Sequence, residues 1–379
     1  MARVQLAHLP ANGRAHKAVL TVWALGPLLV FPFALYRAVK ARRIGRKVVA
    51  TTVVGYLLTG QGITFGFHRL ATHDSFKCNR WVKGIALILG SAAAQGPVIT
   101  WVDNHRRHHI HADQPGDPHS PHADFGEGWK ETVKGFLHAH IFWMFRDAPE
   151  DIGRYTKRMR EDKLVAFVDR FFGLWVGLGL LIPALIGGRK GFVWGGLIRL
   201  LLMNHATFAV NSICHMFGSR RFNTRDESRN NWFIALLTGG EGNHNNHHAN
   251  AKAAYHGFTW REYDLTGYVI RALAAFGLVW DVHQPTEEEI AARQRQLDRQ
   301  AARAAQEAGT VTTGAVASGA DWPASEPGRR PGRPSSRPTT SRSRRIRVGA
   351  THAPQRDPVR CRVGDADHTP PGARSASCV

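Results

Sequence analysis

Residues 239–257 read GGEGNHNNHHANAKAAYHG and place imidazoles at His244, His247 and His248 just after a long apolar region. A histidine-rich tract by itself fits biased composition or a wet surface. This one has two relatives upstream, HRLATH from His68 to His73 and HRRHH from His105 to His109. On an α-helix, residues i, i+3 and i+4 share a face. His105, His108 and His109 are therefore expected to point one way, and His244, His247 and His248 likewise. His68 and His73 are five apart and diverge on an ideal helix, which suits ligands of different metals or a helix end. Neutral imidazole ligates Fe, Zn, Cu and Ni, and these eight side chains are too many for one ion. A ninth, His215 in NSICHMFG, follows Asn211 at i+4 at the inner end of an apolar run. An ionisable pair there is costly without partners and marks a functional site. A lone histidine would be read as a surface or interfacial residue, but three boxes with repeated spacing point to metal binding.

The boxes are set in a membrane pattern. The mean hydropathy of −0.27 resembles that of a soluble protein, yet four runs, 18–35, 48–67, 168–186 and 192–210, have the length and apolarity to cross a bilayer, which takes about 20 helical residues. The polar average comes from a charged middle section and from the tail. The first 17 residues are polar and the run after them lacks a small-residue cleavage pattern, so the run reads as a membrane helix and not as a signal peptide. Cys78, Cys214, Cys361 and Cys378 form no CxxC pair and are assigned neither a disulfide nor a metal.

The chain divides into a membrane domain, 1–284, and a tail, 285–379. The tail opens with a short helix, TEEEIAARQRQLDRQAARAAQEA, and continues in RPGRPSSRPTTSRSRRIRV and similar text. It cannot bury enough apolar surface to offset ordering entropy and is expected to be disordered. The net charge of +21 is partly this tail, so it is no nucleic-acid signature and no nucleic-acid partner is expected.

For the boxes to build one site they must share a side of the membrane. The run GIALILGSAAAQGPVITW after the second span is short and rich in Gly and Ala, and is expected to dip in or lie along the interface without crossing. The third and fourth spans form a hairpin around GGRKG that returns Asn211 and His215 to the same side, and WFIALLTGG is too short to span. Basic residues of the middle section, among them Arg106, Arg107, Lys157 and Arg160, favour a cytoplasmic face. Arg37, Lys40, Arg42, Arg43, Arg46 and Lys47 would then lie in the outer loop, against that rule. Ligand geometry is the stricter constraint. The expected fold class is all-α, with four transmembrane helices, a cytoplasmic histidine-box cap for two metals, and a disordered tail. The expected location is multi-pass in the inner cell membrane.

The motifs GFHRLATH, DNHRRHHIHAD, DPHSP, NSICHMFG and GEGNHNNHH, in this order, resemble the integral-membrane fatty acid desaturases, specifically the acyl-CoA (stearoyl-CoA) Δ9 branch. The resemblance covers roughly residues 15–283. It implies two irons held by His68, His73, His105, His108, His109, His215, His244, His247 and His248, with Asn211 reaching a metal through water. It also implies a substrate tunnel bent at Gln95, Trp101 and Thr207. Two positions depart from the family pattern: Asn104, with Asp103 one place earlier, where Asp is common, and Phe208, beside the tunnel, where the animal enzymes have Trp. Both bear on head-group contacts and leave the metal ligands untouched.

Removing two hydrogens from an alkyl chain attacks unactivated C–H bonds, so a cofactor must carry the reaction. Redox-active iron with O2 as co-substrate suits it, and zinc does not. The sequence has no GxGxxG opening a βαβ unit, no CxxCH haem site and no ferredoxin-like cysteine pattern. A separate electron donor is therefore expected: a ferredoxin, a cytochrome b5-like protein or an NAD(P)H reductase. The expected substrate is a fatty acyl-CoA, with membrane lipid as surroundings. A phospholipid-linked acyl desaturase and a histidine-box hydroxylase would use the same cradle. A metal transporter would place its ligands within the spans near the midplane, whereas these lie at span ends and in loops.

Overall fold

The computed structural model describes residues 14–40, 44–146, 151 and 153–317. The part of the expected disordered tail that lies beyond residue 317, with Cys361 and Cys378, is outside the described residues, as are Arg42 and Arg43.

The chain is mostly helical. In order come α1 (Arg14–Lys40), α2 (Arg46–Gln61), α3 (Arg80–Ser91), α4 (Val98–His111), α5 (Trp129–His140), α6 (Lys163–Arg170), α7 (Phe172–Gly191), α8 (Arg199–Ser212), α9 (Trp232–Thr238), α10 (His244–Ala249), α11 (Leu265–Ala275) and α12 (Glu287–Ala317). Among the described residues one two-stranded antiparallel ladder, β1 (Lys77–Cys78) with β2 (Val279–Trp280), ties the segment after the first histidine box to the segment after α11. Short polar side chains set several helix starts: Asn79 accepts from Val82 N, Asp162 from Leu164 N, Asn231 from Ile234 N and Asp264 from Gly267 N.

Three helical runs are long and apolar enough to cross a membrane: Lys17–Lys40, Arg46–Thr72 and Phe172–His215. The last has 44 residues and folds back on itself at Gly188, whose φ of 58° and ψ of −146° leave the helical region. Beyond that turn, a Cβ added at Gly195 would meet Pro183 and one at Gly196 would meet Leu180. Residues 12 and 16 apart touch in this way only if the two limbs run antiparallel. The first limb also starts later than the sequence pattern implies. Lys163–Arg170 is a separate helix, α6, and the backbone breaks at Phe171 before α7 begins.

The run after the second span forms α3, whose 12 residues reach about 18 Å, short of a bilayer core. It packs on the continuation of α2 at very close range. A Cβ at Gly62 would come within 2.1 Å of Gly90 N, so glycine is needed for the backbones to meet. Phe67, Leu87, Val98, Val102 and Met203 fill the core beneath this crossing.

Pro285 marks no end to packed structure. Thr286 and Glu289 form a reciprocal capping box, with Glu289 N donating to Thr286 Oγ1 at 3.2 Å and Thr286 N to Glu289 Oε2 at 2.8 Å. The helix that follows runs for 31 residues, longer than the short helix the sequence suggests, and buries Ile290 and Leu297 against Phe222 and Ala249.

Candidate metal centre

The first box is built by a change of helix type. Gly62–Thr72 continue α2 as a π-helix, and His73 N donates to His68 O at 3.2 Å, the i→i−5 bond of that form. Wider turns put i and i+5 on one face, so His68 and His73 converge where an α-helix would separate them. Of the two readings of that spacing, different metals or a helix end, the second fits the geometry, because His73 caps the end of this helix. Their rings stand 4.9 Å apart, and both belong to one cluster of His68, His73, His105, His109 and His247.

A second cluster holds His108, His215, His244 and His248. In each, the ligand-capable nitrogens lie within 4.8 Å of one another. The two boxes on α4 and α10 do not each face one way, as the i, i+3, i+4 spacing suggests. Helix α4 gives its i, i+4 pair, His105 and His109, to the first cluster and His108 to the second. Helix α10 gives its pair, His244 and His248, to the second and His247 to the first. Each helix thus lies between the two clusters and binds them into one centre.

Ring nitrogens face each other in close pairs: His109 Nε2 to His247 Nε2 at 2.9 Å, His109 to His105 at 3.1 Å, His68 to His247 at 3.1 Å, His215 to His244 at 3.0 Å and His108 to His248 at 3.3 Å. Two nitrogens about 2.1 Å from one ion and at right angles stand about 3.0 Å apart, so this spacing fits imidazoles arranged around an ion. His73 Nε2 is buried and has no hydrogen-bond partner among the described residues. Burial, helped by the neighbouring imidazoles, holds His73, His105, His109, His244 and His247 well below the ordinary histidine range. The neutral form, which has a lone pair to offer, is thereby favoured at each of them.

The opposite edges of four rings are held by carboxylates. His68 Nδ1 meets Glu241 at 2.5 Å, His108 Nδ1 meets Asp117 at 2.9 Å, His215 Nδ1 meets Asp113 at 2.8 Å and His248 Nδ1 meets Asp226 at 3.1 Å. Such a carboxylate fixes the tautomer with hydrogen on Nδ1 and leaves Nε2 free to ligate. Burial alone would raise these four carboxyls. The adjoining imidazoles outweigh it and hold all four below the usual carboxylate range, so they stay ionised. Glu241 also receives Arg69, which is fully buried and donates in addition to Asp264 at 2.9 Å. A buried guanidinium needs such partners, and this pair of carboxylates supplies them.

These carboxylates and Arg69 escaped the reading of the sequence. The signal was present, since Asp113 and Asp117 flank the second box in HADQPGDP and Glu241 precedes the third in GEGNH. Nothing in the spacing tells which imidazole each one reaches. Asp226 carries no signal at all, because its loop meets α10 only in the fold.

The residues assigned to the substrate divide into two places. Gln95 donates to Thr207 Oγ1 at 3.0 Å, and Trp101 Nε1 donates to Gln95 Oε1 at 3.4 Å. Trp101 stacks on His105, with ring centres 5.0 Å apart and planes 19° from parallel, so this trio adjoins the first cluster. Phe208 lies elsewhere, against Trp23, His140 and His205. Asn211 is half-buried one helical turn before His215.

Helices long and apolar enough to cross a membrane, with two histidine clusters at their ends that could each hold a metal ion, define the class of fold. The fatty acid desaturase family model matches residues 47–280, and the chain belongs to that family. It is 42% identical over 249 residues to an sn-1 stearoyl-lipid 9-desaturase of Synechocystis, covering 65% of this chain and 74% of that one. A hex-5-enoyl-[acyl-carrier protein] acetylenase of Moorena producens is 39% identical over 242 residues, 61% of this chain and 75% of that one. An acyl-CoA C20 Delta5-desaturase of Anemone leveillei is 40% identical over 230 residues, 60% of this chain and 70% of that one. Membership makes the protein an oxidoreductase of fatty acyl lipids.

Proposed function

We propose that this desaturase introduces a cis double bond at Δ9 of stearoyl- or palmitoyl-CoA, using two irons held by the two histidine clusters. The observation that carries the reading is the Gln95–Trp101–Thr207 trio stacked on His105. A hydrogen-bonded bend beside the first cluster would present one chosen pair of carbons to it. Carrier preference is supported by a shallow, wide-open cleft lined by Asp151, Gly153, Arg154, Lys157 and Arg160. Asp151 accepts from Arg107 at 2.6 Å, which places this basic cleft next to the helix that carries His105 and His108. Guanidinium and ammonium groups suit the phosphates of CoA.

Bound iron would supply the O2-dependent redox chemistry that no side chain offers. The protein's own residues bind and orient. His68, His108, His215 and His248 would present Nε2 with the tautomer set by Glu241, Asp117, Asp113 and Asp226, and His73, His105, His109, His244 and His247 would complete the two sets. Asn211 would reach one metal through water. Trp101 and Phe67 would shield the reacting carbons from water. Two electrons come from a separate ferredoxin, cytochrome b5-like or NAD(P)H-dependent donor. The two limbs of Phe172–His215 would be the third and fourth of four crossings in the inner membrane, with the histidine end cytoplasmic.

A second reading, an acyl chain carried on a glycerolipid, is favoured by the sn-1 stearoyl-lipid 9-desaturase of Synechocystis. Membranes containing the protein, supplied with labelled stearoyl-CoA or labelled stearoyl-phosphatidylcholine with lipid exchange blocked, separate the two. Derivatisation and mass spectrometry should find oleoyl product from the thioester. Product from the glycerolipid alone refutes the CoA assignment, and a double bond at another carbon refutes Δ9.

A further inference from the structure

We propose that the first half of α12, which lies beyond the stretch matched by the family, is a clamp that positions the second histidine cluster by holding the two segments that carry His248 and Asp226. The proposal rests on the reading of that cluster as a metal site. His248 is the fifth residue of α10, and the carbonyl of the next residue, Ala249, accepts from Arg293 Nε at 2.9 Å. Asp226 sits in the loop 221–228. That loop is tied to α12 by Asn223, which donates to Asp298 Oδ1 at 2.7 Å, and by Phe222, which packs on Ile290 and Leu297. Residues 290, 293, 297 and 298 fall on one face of the helix. Asn245 closes the ring, accepting from Arg221 N and Phe222 N at 2.8 and 2.7 Å and donating to Phe222 O at 3.0 Å. Helix, loop and α10 therefore form one packed unit around a single imidazole–carboxylate contact. Loosening either side lengthens the 3.1 Å contact that orients His248.

The test uses full-length protein with Leu297→Asp, Arg293→Ala or Asp298→Asn, and Arg299→Ala on the exposed face of the helix as control. Metal per chain is followed during dialysis against a chelator, and hydrogen exchange is followed over 221–228 and 244–250. The clamp variants should lose one of two irons about tenfold faster than wild type, the lower end of what outer partners of a ligand usually contribute. They should also exchange faster in both segments, with the spans unchanged and the control like wild type. Should Leu297→Asp disturb the spans, the two polar variants decide alone. Wild-type metal retention and exchange in those variants overturns the clamp. Wild-type protein that binds no iron overturns the metal reading instead, and the exchange measurement still judges the clamp.

Discussion

At the scale of single residues, a neutral imidazole ligates well only if its other nitrogen is held. Asp226 receives His248 Nδ1 at 3.1 Å inside a site where water has little access. Asp226→Asn removes the charge and is expected to weaken retention of one metal by about 10–100-fold while leaving the other in place. Metal titration of the apoprotein measures this, and equal affinities in variant and wild type would remove Asp226 from the site. His247→Ala, which deletes a member of the first cluster, should abolish turnover with membrane insertion intact. The substrate trio gives a different readout. Trp101→Ala or Thr207→Trp should shift the position of the double bond, and mass spectrometry of derivatised products reports it. Retained selectivity would reduce Trp101 to an interfacial residue and leave Thr207 as a hydroxyl bonded to Met203 O, a bond it already makes at 3.0 Å. All nine clustered histidines were legible from the spacing of three boxes and one intramembrane pair. Their division was not, because i, i+3 and i+4 share a face only broadly, and two clusters lying side by side read the difference between i+3 and i+4.

Elements add what residues cannot specify. The first box works because Gly62–Thr72 adopt a π-helix, and no local propensity announces one. The π-helix begins at Gly62, at the crossing where the chain meets the backbone of α3, and packing there is expected to favour it. Gly62→Ala would place a methyl 2.1 Å from Gly90 N, with Leu89 C at 2.3 Å. Backbone atoms cannot rotate away as a side chain can, so the helices must part. The expected cost is about 1–3 kcal/mol, seen as a lower temperature of thermal inactivation, with weaker metal binding at the first cluster because His68 and His73 ride on the same segment. Unchanged stability and metal content would mean that the crossing tolerates separation and does not hold the π-helix in place. The hairpin at Gly188, by contrast, was readable from GGRKG, since glycine is the residue that tolerates a φ of 58°.

Across the whole molecule, the histidine end and the charged turns lie at opposite ends of the bundle. A Cβ at Gly187 would touch Val48, so the Gly188 turn with Arg189 and Lys190 sits beside the start of α2 with Arg46 and Lys47. The boxes follow the far ends of α2 and α8. Truncation after Arg303 keeps Ile290, Arg293, Leu297 and Asp298, and is expected to leave desaturation essentially intact. Lost activity with normal insertion would assign the tail a role. Orientation is a sharper question, because both ends carry Lys and Arg and the positive-inside bias divides between them. On the function proposed above, acyl-CoA and an intracellular reductant reach the site from the cytoplasm, so the surface at Arg154 and Lys157 is expected to open there, whatever the charge at the other end. In a cysteine-free background, Glu127→Cys, exposed in the loop that leads from the second histidine box to α5, should therefore resist a membrane-impermeant maleimide in intact cells and react in inverted vesicles. Lys47→Cys and Lys190→Cys, both exposed at the opposite end, should show the reverse. Labelling of Lys190→Cys and Glu127→Cys from the same side would refute the hairpin crossing. A complete exchange of the two patterns would keep the crossings and overturn the cytoplasmic site.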